Sequence, residues 1–195
     1  MVIYMWTSLN RKIYIFLSII LFLGLSLGII FVLSLDESVK EILFLNINNF
    51  VQNIDNSNIS AIVVHLVILS TLLILSILVF FLPLVIFFII YNGFSLGFII
   101  SSLSSIFGLK GFIFSIFYIF ITKLIFIIVL ILYSANLFKI SKSILDIVIY
   151  KKNKKDFLYL YLKRSIIYIS IILLSDIILY FGGAKLIKTI VFLIK

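Results

Sequence analysis

From Ala61 to Ile90 the chain contains no aspartate, glutamate, lysine or arginine. As a helix such a run is about 45 Å long, more than the ~30 Å hydrocarbon core of a bilayer requires. Lipid offers no partners for backbone polar groups, so only helices and closed barrels span it. A barrel strand alternates apolar and polar residues, and runs such as LIFIIVLILY do not alternate. The fold class that follows is all-α: a polytopic helical membrane protein. The composition points the same way, 65% hydrophobic and 12% charged, where soluble domains average about 45–50% and about 25%.

About five transmembrane helices are expected in a single membrane domain covering residues 1–195. The spans are placed at about 13–33, 61–91, 93–107, 112–137 and 165–181. The first is read as an uncleaved signal anchor, because its apolar run is long and no A-x-A-like site follows it. Pro83 is read as a kink in the second span, with a turn after it at Tyr91-Asn92-Gly93, because LFFLPL offers a turn no polar residue. A hairpin that turns near Pro83 is the other reading and gives the same number of crossings. GLKG, residues 108–111, is read as a turn. Gly182-Gly183 is expected to end the last span, leaving AKLIKTIVFLIK as an interfacial helix or an extension.

Charge sets the expected orientation. Residues 138–164 carry Lys139, Lys142, Lys151, Lys152, Lys154, Lys155, Lys163 and Arg164 against Asp146 and Asp156. The positive-inside rule makes this loop cytoplasmic. Working outward from it, the amino terminus with Arg11 and Lys12 is inside and segment 36–60 is outside. That outer segment is acidic, with Asp36, Glu37, Glu41 and Asp55 against Lys40. Ser38 and Glu41 fit a capping box, and Val39, Ile42, Leu43, Ile47, Phe50 and Val51 form a helical stripe. A short amphipathic helix on the membrane surface or against a partner is expected, with Ser38, Glu41 and Phe50 marking the partner-contact segment. The net charge of +9 is assigned to these flanking loops and to membrane lipid, not to nucleic acid.

Three sets of residues stand out. Four of the chain's 8 glycines lie in two pentads, GLSLG with Gly24 and Gly28, and GFSLG with Gly93 and Gly97. Such faces let helix backbones approach closely in lipid. Lys123 and Asp176 are buried ionisable residues near the middles of their spans, at depths of roughly 21 and 16 Å from the cytoplasmic ends. An unpaired charge at mid-membrane is costly, so the two are expected to pair or to share a cluster with Thr122 and Ser175, as a structural register or as a relay. His65 is read as an interfacial hydrogen bonder. With no cysteine, no metal-binding or nucleophile motif and no paired carboxylates, the expectation is a protein that is not an enzyme and needs no cofactor or metal.

The order of these features resembles the stage II sporulation protein M family. FFLPLVIFFIIYNGFSLGF carries a proline and, beginning ten positions after it, G-x-x-x-G-F, the family's central pattern. FGLKGFIFS looks like its short outer turn, and the first span with GLSLGIIFVLSL, the acidic outer segment, the basic inner loop and SDIILYFGGAKLIK are similar to the family in order. Ile121-Thr122-Lys123 stands where many relatives have a proline and a polar residue, and Gly182-Gly183 replaces a proline of the last span. The resemblance implies a non-enzymatic membrane scaffold of endospore formation. It would sit in the cell membrane at the sporulation septum or mother-cell membrane and anchor septal peptidoglycan hydrolase partner proteins during engulfment. The outer segment 36–60 and the turn at 108–111 would meet those partners, and the glycine faces would assemble the bundle. A homo-oligomer is compatible with this reading. The competing expectation, from Lys123 and Asp176, is a small-molecule or ion transporter component.

Overall fold

A computed structural model describes residues 2–52, 59–76, 82–149, 151 and 155–191. Among them the chain is all-helical: α1 (Val2–Leu33), α2 (Glu37–Gln52), α3 (Ile59–Leu75), α4 (Leu82–Thr122), α5 (Leu124–Val148) and α6 (Lys155–Val191). Four helices are long and apolar enough to cross a membrane: Arg11–Leu33, Pro83–Thr122, Leu124–Val148 and Asp156–Gly183, with Ile62–Leu75 as a shorter apolar one. The molecule is a polytopic helical membrane protein.

α4 is two helices joined at a hairpin. Gly108 has φ 60° and ψ −138°, a conformation that costs a residue with a Cβ dearly. Beyond it the second arm folds back on the first. Gly111 sits so close to the Leu103 carbonyl that no Cβ would fit there. Phe114 is buried with Leu103, and Tyr118 lines one cavity with Phe98 and Ile99. The second arm then continues into α5 almost without interruption. The Lys123 N–H donates to the Ile119 carbonyl at 2.8 Å and the Lys123 carbonyl accepts from Ile127 at 2.9 Å.

The contacts give each rod a direction. Gly24 faces Ile90 and Gly28 faces Phe94, so α1 and the first arm of α4 run parallel. His65 meets Phe126 and Leu69 meets Tyr133, so α3 and α5 run parallel. Asn136 bonds Tyr161 and Ser165 near one end of α5 and α6, and Lys123 lies near Asp176 at the other, so these two are antiparallel. The rods therefore alternate: α1 up, α3 down, the first arm of α4 up, its second arm with α5 down, α6 up. Leu17, Leu69, Ile89, Leu130, Tyr133 and Ile172 form the common core. Phe22, Ile30, Phe87, Phe120, Ile178 and Phe181 point outward, each at least 60% exposed, as side chains facing lipid do.

Three local expectations are corrected. Tyr91-Asn92-Gly93 is not a turn but lies inside α4. Asn92 Nδ2 donates to the Phe88 carbonyl one turn back at 2.8 Å, and Gly93 serves close packing against α1. Pro83 is in the first turn of α4, where its missing N–H leaves no intrahelical bond unmade. α3 ends at Leu75 and runs opposite to the first arm of α4, so the two are not one helix kinked at Pro83, and the other reading, a reversal near Pro83, is the one that holds. Gly182-Gly183 does not end the helix either: α6 continues to Val191, so the start of AKLIKTIVFLIK is the extension, held by Ile187 against the Leu103–Phe114 cluster.

α2 lies across the end of the α4 hairpin, with Phe44 and Phe107 ring centroids 6.4 Å apart and Ile47 against the same cluster. It starts at Glu37, so Asp36 occupies the position before it and Ser38 is inside it, which rules out the Ser38/Glu41 capping box. Aspartate suits that position as well as serine, and Glu37 complements the positive helix end. The Lys40 ammonium reaches back 3.5 Å to the Leu33 carbonyl at the end of α1. Residues 53–58, and Asp55 with them, lie outside the described residues.

Candidate functional site

The glycine pentads meet each other. Gly24 and Gly28 on α1 face Gly93 and Gly97 on α4, and a Cβ on any of the four would strike main chain of the opposite helix. Gly28 would meet the Phe94 carbonyl, with the Phe98 nitrogen at 2.8 Å; Gly97 would meet the Leu25 carbonyl, with the Ile29 nitrogen at 3.0 Å. Both helices carry the small residue in the same register, so both main chains come to the seam. Phe31 flanks it, 5.5 Å from Phe94 and 6.4 Å from Phe98 between ring centroids. Pro83 is exposed and takes no part in this seam.

The buried charges form a cluster with a different inner pairing from that expected. Asp176 is bonded by His65, whose Nδ1–H donates to Oδ2 at 2.8 Å. Lys123 is not its direct partner. Its ammonium lies over the Phe126 ring at 5.9 Å, within electrostatic reach of the Asp176 carboxylate. The His65 ring stacks on that same Phe126, centroids 4.7 Å apart and planes at 23°. One aromatic ring thus carries both bases, and one carboxylate answers them. Their side chains are nearly enclosed, His65 20% and Asp176 11% exposed. Three rods, α3, α5 and α6, are tied at this point.

The cluster lies nearer the hairpin end than the middle. Tyr118 faces Phe98, which packs on Phe31 in the last turn of α1. Lys123 is about 8 Å along the rod from that level, while Lys139 is about 24 Å further on. The cluster is thus as far from the basic end as residue counting predicts, but it is not central, because α1 ends close to its level and residues 100–116 project beyond. Thr122 and Ser175 do not join the cluster. They line a groove of about 300 Å³ between α5 and α6 with Ile121, Ile125, Leu174 and Ile178, and Thr122 Oγ1 donates to the Tyr118 carbonyl at 2.7 Å.

On α2, Ser38 and Glu41 are exposed, as are Ile42 and Leu45 at 60% each; the Phe50 side chain lies outside the described residues. Beside them the hairpin exposes Leu109, Phe112, Ile113, Ile116 and Phe117. In the sequence this end of the bundle is marked by the acidic stretch 36–60 and by the GLKG turn, not by the apolar side chains it exposes.

At the opposite end the polar fastening is between α5 and α6. Asn136, 3% exposed, donates from Nδ2 to the Tyr161 carbonyl at 2.7 Å and to Ser165 Oγ at 2.8 Å. Tyr133 donates to the Leu69 carbonyl at 2.6 Å, tying α5 to α3. Neither residue was singled out from sequence, though an asparagine and a tyrosine within an apolar span are the kind of signal that marks interhelical hydrogen bonds. Comparison of the chain with family models, with curated proteins and with solved structures finds no match.

Proposed function

We propose that this chain is a non-enzymatic, multi-pass membrane scaffold that presents a docking surface on the outer side of the membrane. We further propose the role that the family resemblance implies, anchoring peptidoglycan-degrading partner proteins at the septum during engulfment in endospore formation. The observation that carries the scaffold reading is the outer end of the bundle. The hairpin around Gly108 reaches past the end of α1, and α2 is laid across it. Together they expose Ile42, Leu45, Leu109, Phe112 and Ile116 beside the acidic Glu37 and Glu41. In this reading five rods cross the bilayer, the end bearing Lys139, Lys163 and Arg164 is cytoplasmic by the positive-inside rule, and the α2 end is outside.

The role is tested by deleting the gene in its host and following engulfment by membrane staining. Arrest at a flat septum is expected, with rescue by the intact gene. Normal engulfment in the deletion strain contradicts the sporulation role. A second reading, a transporter component, draws on the His65–Asp176–Lys123 cluster, since ionisable residues inside a membrane default to function. The scaffold reading predicts that vesicles containing the purified protein pass protons and monovalent ions no faster than protein-free vesicles.

A further inference from the structure

The end of the bundle opposite the hairpin holds a second ionic arrangement. Lys139 on α5 projects between two tyrosine rings, 5.9 Å from the centroid of Tyr14 on α1 and 6.0 Å from that of Tyr161 on α6. Arg164, one turn beyond Tyr161, lies within electrostatic reach of Lys139 and of both rings. Two cations therefore lie within electrostatic reach of one another. Among the described residues neither has a carboxylate within ion-pair distance. The nearest acids along their own helices are Asp146, seven residues beyond Lys139, and Asp156, eight before Arg164. Both are about 10 Å or more away along the axis.

The arrangement is built, not incidental. Asn136, one turn before Lys139, clamps the Tyr161 carbonyl and Ser165 and so sets α5 against α6 at this level. Tyr161 is 2% exposed, while Arg164 is open to the surroundings and Lys139 is half-buried. Two cations within electrostatic reach of each other, with no carboxylate bonded to either among the described residues, favour an anion with several oxygens. Arginine offers a planar fork and lysine a point charge to such a group. Tyrosines at this level are typical of the bilayer–water boundary.

We propose that Lys139 and Arg164, walled by Tyr14 and Tyr161, seat the phosphate of an anionic phospholipid headgroup at the basic face of the membrane. The shared chemistry is a phosphate oxyanion, which a soluble phosphate also offers, and the test separates the two sources. The full-length protein is purified in detergent, and its thermal unfolding is followed with phosphatidylglycerol, with phosphatidylcholine, or with millimolar sodium phosphate and no lipid. Phosphatidylglycerol is expected to raise the unfolding temperature and phosphatidylcholine and free phosphate to leave it near its starting value. Competition of the two lipids, read by native mass spectrometry, gives the preference directly. It is expected to fall about fivefold for each cation removed, in Lys139→Gln and in Arg164→Gln. Lys139→Arg retains it, which guards against a merely destabilised variant, and Lys110→Gln at the other end of the bundle leaves it unchanged. A preference undiminished in the double Gln variant overturns the site, and so does an equal response to the two lipids. A full response to sodium phosphate alone overturns the lipid as its source.

Discussion

Replacing Gly28 by alanine adds one methyl group, and the seam between α1 and α4 has no room for it. The new Cβ overlaps the Phe94 carbonyl oxygen and falls 2.8 Å from the Phe98 nitrogen and 3.0 Å from the Phe94 carbonyl carbon. All three are main-chain atoms, so no side chain can swing aside. The helices must part by about 1 Å, and a gap of that size forfeits a quarter to a half of each dispersion contact along the seam. Overpacking of this kind costs about 1–3 kcal/mol, and in lipid, where close packing supplies much of the association, the upper half of that range is expected. Gly182→Ala is the matched control. Nothing lies within 4 Å of where its Cβ would stand, and replacing a glycine inside a helix is worth up to about 1 kcal/mol in favour of alanine. Reversible unfolding of the purified protein in mixed micelles should show Gly28→Ala destabilised and Gly182→Ala unchanged or improved. Equal stability of the two variants would refute the argument that main-chain contact holds α1 to α4.

Three further outcomes follow from named contacts. Asp176→Asn removes the carboxylate that His65 bonds and that Lys123 faces, and should cost about 1–3 kcal/mol as a lost hydrogen bond to a charged, largely enclosed group. Adding Lys123→Met to that variant should recover a substantial part, and the same unfolding assay reads both. Gly108→Ala forces a Cβ into φ 60°, ψ −138° and should lower stability by about 1–3 kcal/mol, although nothing crowds the site. Asn136→Leu removes the two hydrogen bonds that fasten α5 to α6. A loss of about 1–3 kcal/mol is expected, together with faster amide exchange around Tyr161 and Ser165.

The class of fold was legible because lipid tolerates so few solutions: a run such as Ala61–Ile90 without an acidic residue, lysine or arginine leaves little else. The Gly108 turn was legible in GLKG for a local reason, a glycine in a left-handed conformation between two apolar arms. Tyr91-Asn92-Gly93 has the same local look, yet it is helical, because tertiary packing against α1 overrides turn propensity and Asn92 bonds within its own helix. Small-residue spacing announces a close approach but does not name what approaches, so that two pentads face each other in parallel emerges only in three dimensions. The partner of Asp176 was hidden for a related reason. Depth along a span follows from counting residues, but which helix turns its side chain toward the carboxylate depends on rotation about each axis. That rotation brought His65 of α3 to Asp176 and left Lys123 on Phe126.

The alternating directions of the rods put Lys110, at the tip of the hairpin, and Lys142, on the basic end of α5, at opposite ends of the bundle, and the proposed orientation places the first outside and the second in the cytoplasm. Both side chains are exposed, and the chain has no cysteine of its own, so Lys110→Cys and Lys142→Cys each give a single reporter. In intact cells treated with a membrane-impermeant maleimide, Lys110→Cys should label at once and Lys142→Cys only after the membrane is opened. Labelling of both positions from outside, or of Lys142→Cys alone, would contradict the arrangement.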